Sequence, residues 1–97
     1  MTKDFQKYIE QIINLTFGFV PHIRVEEPYV GTVQIFIEGS PDERAMIMGK
    51  EGKTITALTR LINCYGRKHN TFCYTYVRPK DYVESNLEDA LKVGKYL

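Results

Sequence analysis

The hydrophobic pattern of this chain changes period near residue 40 and is then broken by a short glycine-bracketed stretch. Apolar residues alternate between residues 22 and 38, as in strands, and from there to residue 65 they recur at helical spacing. Gly49 and Gly52 interrupt the helical pattern, and glycine favours tight turns over helix interiors. The pattern therefore predicts two short helices joined by a turn at residues 49–52, which we call the glycine turn.

The first part of the chain predicts a helix followed by two strands. Apolar side chains recur at helical spacing over residues 3–17, and Gly18 is expected to end that helix. Two alternating stretches, 22–26 and 33–38, predict strands, each with one buried and one exposed face. The proline and glycine within residues 28–31 predict the turn that connects them.

Strong helix signals flank the glycine turn. Ser40 at a capping position, a proline directly after it, and Glu43 placed for a capping box predict a helix that runs from Glu43 to Met48. A second helix is expected to begin near Gly52, and Gly66 is expected to close it. The glycine turn should thus lie between the end of one helix and the beginning of the next.

The remaining residues predict a third strand and a short last helix. Residues 66–71 are polar and predict a loop, whereas 72–77 alternate aromatic with smaller residues, as in a strand. A capping box at 85–88 predicts a helix near the C-terminus. This order of elements indicates an α+β fold in two layers, with a three-stranded sheet covered on one face by helices. We divide the chain into a domain at 1–80 and a C-terminal extension with a short helix at 81–97.

Positive charge is concentrated between residues 44 and 80. This stretch has one acid, Glu51, and eight basic residues: Arg44, Lys50, Lys53, Arg60, Arg67, Lys68, Arg78 and Lys80. Its charge is therefore +7, and the rest of the chain, with 13 − 8 = 5 bases and 12 − 1 = 11 acids, carries −6. Because the net charge is only +1, any affinity for a polyanion must come from this local field.

The glycine turn combines features that favour a phosphate-bearing ligand. Gly52 opens the second predicted helix, so free backbone N–H groups and the positive end of the helix dipole point into the turn. Lys50 and Lys53 add positive charge, and Ile47 and Ile55 flank the turn as an apolar floor. A charged rim beside an apolar floor suits a single nucleic-acid strand, with phosphates on one side and bases on the other.

Residues 47–55, Ile-Met-Gly-Lys-Glu-Gly-Lys-Thr-Ile, resemble the GXXG signature of the KH domain. The helix and two strands before this motif are similar to the type II arrangement, and residues 1–80 resemble the small bacterial single-KH RNA-binding proteins. The resemblance implies a type II KH-like fold that binds single-stranded RNA, in post-transcriptional regulation, as an RNA chaperone or in a ribosome-related role. It also implies pairing with a second copy or with a larger KH-containing protein.

The resemblance further implies which residues contact RNA. They are Gly49, Lys50, Glu51 and Gly52 as the clamp on the RNA backbone, Lys53 beside them, Ile47, Ile55, Thr56 and Arg60 along the groove, and Arg67 and Lys68 in the variable loop. Glu51 departs from a purely basic loop and should reduce the attraction for phosphate.

Composition and motifs argue against other classes of protein. Ninety-seven residues fit one domain, and no apolar run approaches the roughly 20 residues that span a bilayer. The N-terminus lacks the apolar stretch of a secretory signal, so we expect a cytoplasmic protein without membrane contact. Neither histidine adjoins a nucleophile or paired carboxylates, so we expect no enzymatic activity. Cys64 and Cys73 are expected to be buried free thiols, with no metal and no cofactor.

The aromatic residues of the third strand leave one question open. Phe72, Tyr74 and Tyr76 alternate with smaller residues, and either set can face the helices. If the aromatic rings face outward, they form a contact surface. The alternative function is therefore a protein–protein interaction module that uses this aromatic face and the last helix.

Overall fold

The computed structural model of the chain describes residues 1–80. Its elements are helix α1 (Thr2–Phe17), strands β1 (His22–Tyr29) and β2 (Thr32–Gly39), helix α2 (Pro41–Met48), a single 3-10 turn (Lys50–Gly52), helix α3 (Lys53–Lys68) and strand β3 (Phe72–Pro79). The predicted α+β class and the predicted order of elements are confirmed over this range. The predicted C-terminal helix at 81–97 lies outside the described residues.

The sheet is mixed and has the strand order β1-β2-β3. Strands β1 and β2 run antiparallel, with Ile23 opposite Ile37, whereas β2 and β3 run parallel, with Ile35 opposite Thr75. A parallel pair requires a crossover connection, which α2, the 3-10 turn and α3 supply. The glycine turn therefore lies within the crossover that joins β2 to β3.

The core lies between the helices and one face of the sheet. Its buried residues are Phe5, Ile9 and Ile13 of α1, Ile23 of β1, Val33, Ile35 and Ile37 of β2, Ile47 of α2, and Leu58 and Ile62 of α3. The strand residues alternate and the helical residues recur every three or four positions, so each element presents a single apolar face to this layer. The sheet is thus covered by helices on one face, as predicted.

The helix ends around the core follow the predicted chemistry. Ser40 Oγ accepts a hydrogen bond from the Glu43 N–H at 3.2 Å, and Glu43 Oε1 accepts one from the Ser40 N–H at 2.9 Å. This capping box satisfies two backbone donors and begins α2 at Pro41, two residues before the predicted start. Gly18 ends α1 in the left-handed conformation, with φ of 83°.

The predicted end of α3 at Gly66 is wrong, because the helix continues to Lys68. A side chain at position 66 would place its Cβ 2.6 Å from Cys73 Sγ and 2.7 Å from the Thr71 carbonyl oxygen. Glycine is therefore required by close packing against the beginning of β3 and not by the end of the helix. The left-handed residue after α3 is Asn70, with φ of 54°.

The predicted turn at residues 28–31 is shorter than expected. Strand β1 continues through Pro28 to Tyr29, with a shift of register after Glu26. Proline is tolerated there because β1 is an edge strand, whose outward backbone positions need no N–H donor. Only Val30 and Gly31 remain between the two strands.

The prediction of one exposed face for β2 is wrong at Phe36 and Glu38, which are 7% and 6% exposed. Both point away from the helices, and both are surrounded by charged side chains. The guanidinium groups of Arg24 and Arg78 lie 4.4 and 4.2 Å from the centre of the Phe36 ring. Arg78 Nε donates to Glu38 Oε2 at 3.0 Å, and His22 Nδ1 lies 2.9 Å from Glu38 Oε1. An ionic network therefore replaces solvent on this part of the sheet.

This network predicts an acid-dependent loss of stability that is centred on Glu38. Burial alone would raise the pKa of Glu38, but hydrogen bonds from His22 and Arg78 and the nearby charges of Arg78 and Arg24 together hold it below its ordinary value of 4.5. A carboxylate with a lowered pKa stabilises the fold above its unfolded-state pKa, and this stabilisation is lost as the pH falls through the folded-state pKa.

We therefore expect Glu38→Gln to lower the free energy of unfolding at pH 7 by about 2 kcal/mol, since it leaves Arg78, whose side chain is 13% exposed, without its carboxylate partner. The difference from wild type should shrink below about pH 4.5, where wild-type Glu38 also becomes protonated. Urea denaturation at several pH values measures both effects. Glu27→Gln, a change at an exposed carboxylate, is the control. Equal losses in the two variants would contradict the role given to Glu38.

Candidate functional site

The glycine turn adopts a backbone conformation that most residues avoid. Gly49 has φ 76° and ψ 173°, Glu51 has φ 57° and ψ 27°, and Gly52 has φ 72° and ψ 12°. Three of the four residues thus have positive φ, which glycine adopts without the clash that a Cβ atom causes. This conformation reverses the chain sharply between α2 and α3, as the glycine spacing predicted.

The two glycines of the turn have different surroundings. A Cβ at Gly49 would lie 2.0 Å from Thr54 Oγ1 and 2.9 Å from the Thr54 backbone nitrogen, so Gly49 packs directly against the first turn of α3. At Gly52 a Cβ would meet no atom within 4 Å. Gly49 is therefore needed to form the turn, whereas Gly52 leaves open space at the beginning of α3.

The N-terminus of α3 is partly open to an anion, although its first N–H group, that of Lys53, donates to the Lys50 carbonyl oxygen within the 3-10 turn. No side chain caps this end of the helix, and its N-cap residue is Gly52 itself. The first N–H groups of a helix have no partner within the helix, and the helix dipole makes this end positive. The Gly52 N–H also has a partner, the Gly49 carbonyl oxygen at 3.2 Å, so a phosphate group at this open space would accept hydrogen bonds from N–H groups that follow Lys53 in the first turn.

The charges around the turn are exposed and mostly positive. Lys50 and Lys53 flank Glu51, and all three residues are exposed. Lys53 Nζ lies 3.6 Å from Glu51 Oε1, so one lysine partly offsets the single acid. A surface pair of this kind contributes little to stability, about 0–1 kcal/mol. The turn therefore keeps a net positive charge at the beginning of α3.

The apolar floor predicted from Ile47 and Ile55 is not found as described. Ile47 is completely buried in the core, and Ile55 is half-buried and packs against the same cluster. Since Ile47 has no exposed surface, it supports α2 beneath the turn and offers no contact to a ligand. Ile55 keeps part of its surface accessible beside Gly52.

Polar side chains that were predicted to contact RNA also lie along one face of α3, beyond the glycine turn. Thr56, Arg60 and Arg67 lie four or seven residues apart, so they form a row along the helix together with Asn63, which the sequence analysis did not select. Asn63 could have been found from its position, three residues after Arg60 and four before Arg67. Thr56 Oγ1 donates to the Gly52 carbonyl oxygen at 2.8 Å, which ties this row to the glycine turn.

The far end of this row opens onto a cavity at the edge of the sheet. The cavity has a volume of about 260 Å³ and is lined by Asn63, Arg67, Thr71, Phe72, Cys73 and Tyr74. Arg67 and Lys68 were predicted in a loop but are the last residues of α3, so the helix backbone holds them in place. Arg67 faces the cavity, while Lys68 is one residue further around the helix and exposed. The turn, the polar row and the cavity form one continuous strip along α3.

The aromatic residues of β3 lie on the face of the sheet away from the helices. Cys73 and Val77 pack against the core, whereas Phe72 and Tyr74 are 73% and 53% exposed. Tyr76 stacks on Phe36 of β2 with ring centres 5.4 Å apart. The question left open by the sequence is therefore answered in favour of outward-facing rings. We call the surface that carries Phe36, Phe72, Tyr74 and Tyr76 the open face.

Within the described part of the chain, the thiols and charged clusters show no arrangement of metal ligands. The prediction of two buried thiols is wrong for Cys64, which is exposed, with an Arg67 guanidinium nitrogen 3.1 Å from its sulfur. Cys73 is half-buried, and burial raises the pKa of its thiol. Among residues 1–80, no group of three or more His, Cys, Asp or Glu side chains is placed to hold a metal ion. None of the helices in this range is long and apolar enough to cross a bilayer.

Comparisons of this chain with protein-family models, with curated proteins and with solved structures find no match.

Proposed function

We propose that this protein is a non-enzymatic domain that binds single-stranded RNA along the α3 strip. The observation that carries the proposal is the glycine turn, where an uncapped helix N-terminus lies beside open space at Gly52 and between two exposed lysines. The order of elements, the mixed three-stranded sheet and the Gly-Lys-Glu-Gly sequence between α2 and α3 support a type II KH-like fold.

In this proposal, backbone groups and lysines hold the phosphates. A ribose-phosphate strand approaches at Gly52, where no side chain intervenes, and its phosphates accept hydrogen bonds from N–H groups that follow Lys53 in the first turn of α3. Lys50 and Lys53 add attraction, and Arg60 continues the positive charge along the helix. The bases then lie over Ile55 and toward the cavity beside β3. No step breaks or makes a covalent bond.

The size of the strip implies weak binding by a single domain. A GXXG loop clamps about four nucleotides, and so small a contact favours dissociation constants in the micromolar range, about −8 kcal/mol. Useful affinity then requires a second RNA-binding module, from a second copy of the chain or from a larger KH-containing protein. We propose a cytoplasmic role in post-transcriptional regulation, RNA chaperoning or a ribosome-related process.

Salt dependence tests the phosphate contacts directly. We expect the affinity of the full chain for a fluorescein-labelled single-stranded RNA to fall with a log–log slope of about −2 to −3 in salt, the value for three or four released counterions. Between 50 and 200 mM salt this is a loss of about 20- to 60-fold. Fluorescence anisotropy measures the binding. A slope near zero, or no binding at low salt, would refute the proposal.

A second candidate function is a protein–protein interaction module. The exposure of Phe72 and Tyr74 favours it, because aromatic rings are enriched at protein interfaces. Binding through such a face would respond little to salt, whereas binding to phosphates weakens steeply. Pull-down of a protein partner whose binding survives 500 mM salt and is lost in Tyr74→Ser would favour this function.

A further inference from the structure

We propose that an RNA strand held by the α3 strip continues around the edge of the sheet, where its next bases stack on Phe72 and Tyr74. This inference rests on the proposed RNA binding and adds a base-stacking surface to the phosphate-binding turn. The ligand of that surface is the part of a single strand that lies beyond the roughly four nucleotides held by a GXXG loop.

The cavity at the end of the α3 strip connects the helical side of the molecule with the open face. Asn63 and Arg67 of α3 form one side of the cavity. Phe72 and Tyr74 form the other side, and their rings lie on the open face. Strand β3 is at the edge of the sheet, and within residues 1–80 no further strand lies outside it. A single strand that follows α3 to this cavity therefore passes over the β3 edge directly onto the two aromatic rings.

The cavity has room for a planar base. Its volume is about 260 Å³, whereas a closed cavity of about 150 Å³ already accepts a benzene ring. Arg67 adds an exposed positive charge at the wall that faces α3. A base can therefore enter at the β3 edge while the phosphate beside it stays near Arg67.

The rings beyond the cavity are exposed and have polar neighbours. Phe72 and Tyr74 expose 73% and 53% of their surface, and they lie two residues apart on one face of β3. Their paired residues on β2 are Thr32 and Gln34, which supply a hydroxyl and an amide on the same face of the sheet. Aromatic rings stack on the faces of unpaired bases, and polar side chains beside them bind the base edges. The surface thus combines the two kinds of group that recognise single-stranded RNA.

The surroundings limit this surface to the β3 side of the open face. Beyond Tyr74, the open face is closed by Phe36, which is buried between two arginines. On the far side of β2, strand β1 carries two acids, Glu26 and Glu27, against one base, Arg24. A strand with this charge does not attract phosphates. We therefore expect RNA contacts at the two rings of β3 and none across β1.

The dependence of affinity on RNA length tests the added contact. We expect Tyr74→Leu to lower the affinity of the full chain for mixed-sequence RNA of eight nucleotides about fivefold or more, the effect of losing one stacked base. The affinity for RNA of four nucleotides should stay within about twofold of wild type, which also shows that the variant is folded. Competition against a fluorescein-labelled eight-nucleotide RNA, followed by fluorescence anisotropy, gives both affinities.

Tyr29→Leu is the matched control, because it makes the same substitution at another exposed ring. Tyr29 is 73% exposed and pairs with Thr32, so it lies on the same face of the sheet. It is two strands from Phe72, about 10 Å away, and does not line the cavity. Both affinities should therefore stay within about twofold of wild type in Tyr29→Leu.

The results separate this inference from the proposed function. If Tyr74→Leu left the eight-nucleotide affinity unchanged, or if Tyr29→Leu lowered it as much, the inference would be overturned while binding at the glycine turn remained. The first of these results would also favour a protein partner for the exposed rings. If wild type bound neither RNA, the proposed function and this inference would both be wrong.

Discussion

Gly52→Asp is expected to weaken binding to single-stranded RNA about tenfold more than Gly52→Asn does. Position 52 has φ 72° and ψ 12°, a left-handed conformation that asparagine and aspartate tolerate better than other side chains. A carboxylate about 5 Å from a bound phosphate costs about 1–3 kcal/mol at effective dielectric constants between 80 and 20. Such a cost corresponds to about 5- to 150-fold in the dissociation constant, a range that includes the expected tenfold.

The asparagine variant is the matched control, because it has the shape of aspartate without the charge. Anisotropy with the same labelled RNA gives the affinities, and circular dichroism melts show whether both variants stay folded. Folding should be affected alike in the two, since a side chain at position 52 meets no atom within 4 Å. Wild-type affinity in Gly52→Asp would contradict the position of the phosphate, and equal weakening in both variants would show that no phosphate lies close enough to position 52 to feel the carboxylate charge.

Gly49→Ala is expected to destabilise the fold itself, by about 3 kcal/mol. Gly49 has φ 76° and ψ 173°, a region that only glycine occupies readily, so any side chain adds backbone strain. The new Cβ would also lie 2.0 Å from Thr54 Oγ1 and 2.9 Å from the Thr54 backbone nitrogen. The hydroxyl can rotate away, but the backbone nitrogen cannot, so the beginning of α3 must shift.

Gly18→Ala is the control for this prediction. Gly18 also has positive φ, 83°, but a Cβ there meets nothing within 4 Å. Gly18→Ala should therefore lower the free energy of unfolding only by the strain of a left-handed alanine, about 1–2 kcal/mol. Urea denaturation of the two variants measures the difference. Equal losses of unfolding free energy in the two variants would show that Gly49 is not packed against α3 as described. A Gly49→Ala variant with wild-type stability would contradict the geometry of the turn.

These two glycines also decide how the site is best tested. A variant that changes both Gly49 and Gly52 combines a packing defect with a change at the ligand surface, so a loss of RNA binding would have two explanations. Position 52 alone separates them, because its surroundings are open.

The parts of the fold that local chemistry determines were predictable from the sequence. The capping box of Ser40 and Glu43, the end of α1 at Gly18 and the turn at Gly49 and Gly52 all depend on neighbouring residues and on backbone geometry. Each of these signals acts within a few residues, so its outcome is visible without the rest of the fold.

The features that were missed depend on distant contacts. Gly66 resembles a helix terminator in the sequence, yet its role comes from the approach of Thr71 and Cys73. Phe36 was assigned to an exposed face because its cover comes from arginines on two other strands. Alternation gives the faces of a strand but not what lies over them.

The candidate site shows the same difference between features set by neighbouring residues, which were predictable, and features set by distant contacts, which were not. The glycine turn and the row of Thr56, Arg60 and Arg67 follow from spacing along one helix. Ile47 was placed at the ligand surface because it adjoins the turn in sequence, whereas its side chain points into the core. Adjacency along a helix does not determine direction, since successive residues differ by about 100° around the axis.

The most direct measurement is a titration of the isotope-labelled full chain with a short single-stranded RNA, followed by backbone amide NMR. The account predicts shifts or broadening at Gly52, Lys53 and Thr54, continuing to Arg60 and Asn63 along α3. Phe36 and Tyr76 of the open face, which do not line the cavity, should be unaffected. Shifts confined to the open face, or no shifts at millimolar RNA, would contradict the claim that the glycine turn holds the RNA backbone.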